Sequence, residues 1–177
     1  CIGPKPRGYT IKIERGVMTS LNPEHVQAVI KAINQGPYFK HLSMPVKEMG
    51  MGYSIVELKV GNEHLNPFGG IHGGVYASVI DTAAYWAAYC ELQEGIGLIS
   101  IDLKIDYLAP ISDGIITTKG RSIKIGKSMC LAEATATDGN GKWLAHGTSK
   151  MMVTEGLQTI EDALNFTGFE SLPPKFI

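Results

Sequence analysis

Residues 74–89 read GVYASVIDTAAYWAAY, and this stretch decides the fold. Alanine stands at positions 77, 83, 84, 87 and 88, and alanine is the strongest helix former. Apolar side chains would surround such a helix on nearly every side. That pattern predicts a helix buried inside the protein rather than one lying on its surface. Its only charged residue is Asp81.

The elements that could enclose this helix lie on both sides of it. Downstream, residues 98–108 alternate Ile101, Leu103, Ile105 and Tyr107 with Ser100, Asp102, Lys104 and Asp106, and Pro110 ends the run. Alternation of this kind predicts a strand. Three further strand-like runs cover 115–125, 129–137 and 143–153. Gly126-Lys127 and Asp138-Gly139-Asn140-Gly141 supply the turns between them, and such short connections join antiparallel neighbours. Upstream, about 46–60 reads as a strand region, with Val56, Leu58 and Val60 alternating with Glu57 and Lys59. A polar loop, 61–70, separates it from the helix. Earlier still, Asn22-Pro23-Glu24 opens a first helix with a cap, a proline suited to the first turn and an acid at the positive end. Val26, Val29, Ile30 and Ile33 fall on one face of it, and Gly36-Pro37 stops it. In the tail after Gly156, the Thr159 to Asp162 spacing predicts one short capped helix.

Helix, strand, buried helix and four strands make an α+β layout, a long antiparallel sheet wrapped around a central helix with an extra N-terminal helix. A single domain over 1–177 is expected, with its core at about 45–153, an N-terminal extension and helix at 1–36, and a C-terminal tail at 156–177. The sheet leaves edge strands, which are often managed by pairing with a second subunit.

Composition narrows the function classes. Hydrophobic residues make up 44 % of the chain, charged residues 19 %, and the net charge is −1. That excludes disorder and gives no basic face for nucleic acid or for an anionic membrane surface. No stretch is apolar for long enough to span a bilayer, and residues 1–16 lack the apolar region of a signal peptide. The first methionine is Met18, so the segment before it reads as an extension that the fold does not need. Cys1, Cys90 and Cys130 fit neither a disulfide framework nor a zinc site. Cys90 and Cys130 read as small core hydrophobes, which points to reduced thiols and a cytoplasmic location.

Two features carry chemistry. The loop Asn66-Pro67-Phe68-Gly69-Gly70-Ile71-His72-Gly73-Gly74 runs into the start of the buried helix. The first N–H groups of a helix lack internal partners and sit at the positive end of its dipole. Glycines there let a ligand approach the backbone, so the start can stabilise an oxyanion; a tight turn without a ligand needs the same glycines. Asp81 is the second feature. A carboxylate on an apolar helix must find polar partners, take up a proton or face water in a cleft. It reads as a catalytic acid or base, or as a structural aspartate bonded to Ser78 or Thr82.

Other chemistries lack their motifs. There is no serine elbow, no HExxH, no phosphate loop and no dinucleotide fingerprint. His25, His41, His64 and His146 have no metal-ligand spacing, so neither metal nor cofactor is expected. Arg121, Lys124 and Lys127 could receive phosphates or form a solvated strand face.

The pattern Asn66-x5-His72-Gly73-Gly74-x6-Asp81 resembles the signature of hotdog-fold acyl-CoA thioesterases of the phenylacetate-degradation type. The likeness continues in GLISIDLKIDYLAP at 97–110 and in GRSIKIGKSMCLAEATATDGNGKWLAHGTSKMMV at 120–153. It covers roughly 45–153. The resemblance implies roles. Asp81 would be general base or nucleophile, and the Gly73 N–H, helped by Gly74, would polarise the thioester carbonyl. Asn66 would hold that carbonyl or the attacking water, Ser100 would position water, and His72 would shape the loop. It also implies homodimers that pair into tetramers, with coenzyme A along a subunit interface where Arg121 or Lys127 meets its phosphates. Tyr76, Trp86 and Phe68 are candidates to line the acyl pocket, or core residues.

Two rivals are weaker. Related hydratases place a histidine five residues after the aspartate, where this chain has Trp86. A non-catalytic acyl-CoA-binding module would not need Asp81, Asn66 and Ser100 together. The spacing carries one more expectation. Asp81 lies seven residues beyond Gly74, roughly 10 Å along one helix, whereas an oxyanion donor must lie about 3 Å from the carbonyl oxygen. Each site is therefore expected to combine two chains.

Overall fold

The computed structural model describes residues 12–14, 17–169 and 171–177; Cys1 and most of the N-terminal extension lie outside them. The elements are β1 (Lys12–Glu14), β2 (Val17–Thr19), α1 (Pro23–Ile33), α2 (Pro37–His41), β3 (Val46–Gly50), β4 (Tyr53–Lys59), α3 (Gly73–Tyr89), β5 (Ile96–Tyr107), β6 (Ile115–Ile125), β7 (Met129–Thr137), β8 (Trp143–Glu155) and α4 (Ile160–Thr167). A 3-10 turn, Asn62–His64, interrupts the loop before α3.

The expected buried helix is α3, whose core-facing residues include Val79, Ile80, Ala83, Ala84 and Ala87, all fully buried. It lies on a six-stranded antiparallel sheet of order β3-β4-β6-β7-β8-β5. Close approach is possible because both surfaces are small. Gly120, Ala132, Ala134, Ala136, Ala145 and Gly147 are buried in the sheet. A side chain at Gly120 would run into the backbone carbonyl of Ala83, and that carbonyl accepts the Ser54 Oγ hydrogen bond at 2.6 Å.

α1 forms as its sequence dictates. Asn22 caps it by accepting from the Glu24 N–H at 3.0 Å, and its apolar face is buried. Gly36-Pro37 does end it, but Pro37 also opens the short α2, since proline suits a first helical turn. The single strand region expected at 46–60 is two strands. β3 and β4 form a hairpin that turns at Met51-Gly52, where Gly52 adopts φ +75°.

β5 departs from simple alternation. Its register with β8 shifts between Ser100 and Asp102, a bulge that re-aims side chains. Ile101 is 55 % exposed and Tyr107 59 %, whereas Leu103 and Ile105 pack against the core. β5 is an edge strand.

The tail after 156 is integral to the described structure. α4 forms with the expected capping box between Thr159 and Asp162 and ends at Gly168 in the left-handed conformation. The chain then returns to α1. Phe176 bridges Leu21, the Asn22 N–H donates to Lys175 O at 2.9 Å, and His25 Nδ1 bonds Pro173 O at 2.7 Å. Lys175 is buried. Its Nζ donates to the Tyr89 carbonyl at 2.7 Å, at the end of α3, and lies 3.9 Å from the Tyr89 ring centre.

Candidate active site

The loop before α3 is organised by Asn66. Its Oδ1 accepts the Phe68 N–H at 2.9 Å, its Nδ2 donates to Ile71 O at 3.3 Å, and its backbone N–H donates to Gly70 O at 2.7 Å. Both ends of the side chain thus hold the loop. His64, buried, fixes the other side: Nδ1 accepts from the Gly61 N–H and Nε2 donates to Leu42 O. His72 is the N-cap of α3, with Nδ1 accepting the Gly74 N–H at 2.9 Å. This engages the Gly74 donor within the loop, so the helix start presents chiefly the N–H of Gly73. Gly73 lines a cleft of about 390 Å³ with Ile71, Tyr76, Tyr107 and Leu108.

Asp81 sits two turns further along α3, half-buried. Its Oδ1 accepts from Ser100 Oγ at 2.9 Å and from Ser149 Oγ at 3.0 Å. Of the hydroxyls expected under the structural reading, Ser78 is engaged elsewhere: its Oγ donates to Gly74 O at 2.9 Å and bonds the Tyr38 hydroxyl at 2.6 Å. Asp81 therefore has polar partners and also faces a cleft, one of about 780 Å³ that it lines with Ser100, Tyr85, Trp86 and residues of α2 and α4. Burial pushes the Tyr85 phenol up to about 12, with Asp81 adding to the shift, so Tyr85 is neutral beside the carboxylate.

Ser149 escaped the sequence reading. On β8 it shares inward parity with Ala145 and Gly147; a serine in a row of small buried residues was the available signal. Trp86 lines the cleft at Asp81 and Tyr76 the one at Gly73, while Phe68 is 96 % exposed at the loop. Arg121 and Lys127 are not brought to Asp81 within this chain. Arg121 stands exposed on the sheet face away from α3 and pairs with Glu133 at 2.5 Å. That hydrogen bond holds the Glu133 carboxyl below its usual range. Lys127 is exposed in the turn between β6 and β7. Among the described residues, no group of three His, Cys, Asp or Glu side chains could hold a metal ion, and no helix is long and apolar enough to cross a membrane.

Residues 68–145 match the model of the thioesterase superfamily. Acyl-coenzyme A thioesterase 13 of Homo sapiens is 30 % identical over 135 residues, which cover 73 % of this chain and 94 % of that protein. The chain belongs to the thioesterase superfamily. This thioesterase, a thioester hydrolase by family, has the hotdog fold of two solved structures. A Haemophilus influenzae thioesterase superposes with a TM-score of 0.69 at 20 % identity, covering 75 % of this chain and 92 % of that one. A Streptococcus pneumoniae thioesterase protein, determined with coenzyme A, gives 0.61 at 24 % identity, covering 68 % and 92 %. In this thioesterase the family-matched stretch takes in Gly73, Asp81 and Ser100 but stops before Ser149.

Proposed function

We propose that this thioesterase hydrolyses an acyl-CoA thioester with Asp81 as general base or nucleophile. The observation that carries the reading is the half-buried Asp81 carboxylate, oriented by two serine hydroxyls on one oxygen and open to a cleft. As base, Asp81 takes a proton from water while the water oxygen attacks the thioester carbon. The carbonyl oxygen becomes an oxyanion, which a helix N–H at Gly73 stabilises. Collapse then breaks the C–S bond, and the proton goes to the departing thiolate. Ser100 and Ser149 act by holding the carboxylate in place. Asn66 and His72 act through the loop that presents Gly73.

Gly73 and Asp81 line different clefts of one chain and are eight residues, about 12 Å, apart along α3. This supports a homodimer in which the helix start of one subunit faces Asp81 of the other, two sites per dimer. Pairing of such dimers into tetramers, contacts from Arg121 or Lys127 to CoA phosphates, kinship with the phenylacetate-degradation group and a cytoplasmic location belong to the same reading. The name and 30 % identity of the human relative support CoA as the carrier.

Asp81→Asn tests it. Turnover of an acyl-CoA panel, followed by thiol release, should fall at least ~10²-fold, while the far-ultraviolet dichroism stays unchanged. A folded variant with full turnover refutes the mechanism. Wild-type binding of acyl-CoA without turnover would favour a non-catalytic binding module instead.

A further inference from the structure

We infer that α4 is a fixed wall of the acyl-chain pocket and that Ala163 and Phe166 set the acyl length this thioesterase accepts, favouring medium and long aliphatic chains. The inference rests on the reading of Asp81 as the reacting carboxylate. The cleft that begins at Asp81 and Ser100 continues past Tyr85 and Trp86 to Tyr89. Asp81 to Tyr89 spans two turns of α3, about 12 Å, so an acyl chain whose carbonyl lies at Asp81 has a groove along α3 to enter. The far side of that groove is α4, through Ile160, Ala163 and Phe166, with Phe39 of α2 beside it. Its volume, about 780 Å³, is in the range of sites that enclose whole organic ligands, roughly 300–1,000 Å³. A short acyl group would leave most of it unfilled.

Several contacts fasten α4 in place. A side chain at Gly97 would overlap the carbonyls of Leu157 and Gln158, so the segment leading into α4 lies directly on β5. Thr154 Oγ1 donates to Leu157 O at 2.5 Å. Ile160 and Leu164 are buried. Beyond α4, the returning tail is tied to α1 and α3 through His25, Asn22 and Tyr89. Phe166, by contrast, is 75 % exposed while lining the cleft. An apolar ring held at the mouth of a groove beside a carboxylate site has an aliphatic chain as its natural contact. Each methylene buried there is worth about a fourfold gain in binding.

The test measures kcat/KM on acetyl-, octanoyl- and palmitoyl-CoA for the wild type, Ala163→Trp and Phe166→Ala, with decanoate binding measured by calorimetry in parallel. Wild type should prefer octanoyl- over acetyl-CoA by at least about tenfold. Ala163→Trp should lower kcat/KM on octanoyl- and palmitoyl-CoA about tenfold relative to acetyl-CoA, and decanoate affinity by about tenfold. Phe166→Ala should lower the long-chain values about fourfold; because Phe166 is exposed, this variant decides the matter if Ala163→Trp does not fold. Equal effects on all three substrates, or none, overturn the wall. Chain-length discrimination lost in these variants while Asp81→Asn keeps full turnover would retain the wall and remove the Asp81 assignment. Unchanged discrimination with an inactive Asp81→Asn does the reverse.

Discussion

Ser149 Oγ donates to Asp81 Oδ1 across 3.0 Å, although 68 residues separate the two in the chain. The bond ties the middle of α3 to β8, and Ser149 is buried, so it holds the carboxylate without reaching the cleft. A hydrogen bond to a charged group is worth about 1.5–3 kcal/mol. Ser149→Ala should therefore lower kcat about tenfold with KM within about twofold, because the loss is in orientation rather than substrate contact. Steady-state kinetics check this; a change confined to KM would place Ser149 in binding.

In the proposed homodimer, Asn66→Ala and Asp81→Asn would damage opposite halves of a shared site. Each variant alone should be nearly inactive. Unfolded and refolded together, random pairing makes about half the dimers hybrid, each with one intact site, so roughly a quarter of wild-type activity should return. Native mass spectrometry counts the hybrids. Hybrids without activity would confine the site to one chain.

Gly120→Ala should destabilise the fold. The added methyl meets the Ala83 carbonyl of α3, and neither backbone can yield cheaply. Overpacking of this kind costs typically about 1–3 kcal/mol, or roughly 2–12 °C in a chain of this size. Thermal unfolding measures it. Gly139→Ala, where a methyl would meet nothing, should leave the midpoint unchanged.

His25 predicts weakening in acid. Burial lowers its pKa from the ordinary 6.5; the Pro173 carbonyl acts against this and the Lys175 charge reinforces it. The folded state therefore binds the proton less readily than the unfolded chain. The resulting stability is present above pH 6.5 and is lost as pH falls through the lower folded value. Urea midpoints at pH 7.5 and 5.0 should differ in the wild type and differ less in His25→Gln. An equal difference in both would assign the acid effect to other groups.

What the sequence revealed was what local pattern encodes. The all-round apolar run around Asp81 could only be a buried helix, and the turn residues at 126–127 and 138–141 marked the antiparallel partners of β7. Gly52 carries little turn signal because Met51 and Tyr53 beside it are apolar, so the β3–β4 hairpin reads as one region in the sequence. Alternation over 98–108 implied an inward Ile101, but the bulge after Ser100 and the edge position of β5 are tertiary facts. Asp81 and its Ser100 partner were legible as a candidate pair; Ser149 was not, since nothing local links β8 to α3. The tail was least legible. Lys175 is a surface residue type by composition, and its burial depends on the carbonyl and ring of Tyr89, 86 residues away.

The wall over the Asp81 cleft comes from chain that follows the sheet. During synthesis, elements emerge in order and earlier ones can fold first. The sheet and α3 can thus form before 157–177 dock, and only that docking adds the Ile160, Ala163 and Phe166 side of the cleft. Until α4 docks, the Asp81 carboxylate would stand beside an open face with no acyl groove, and chain-length selection would begin only with that docking.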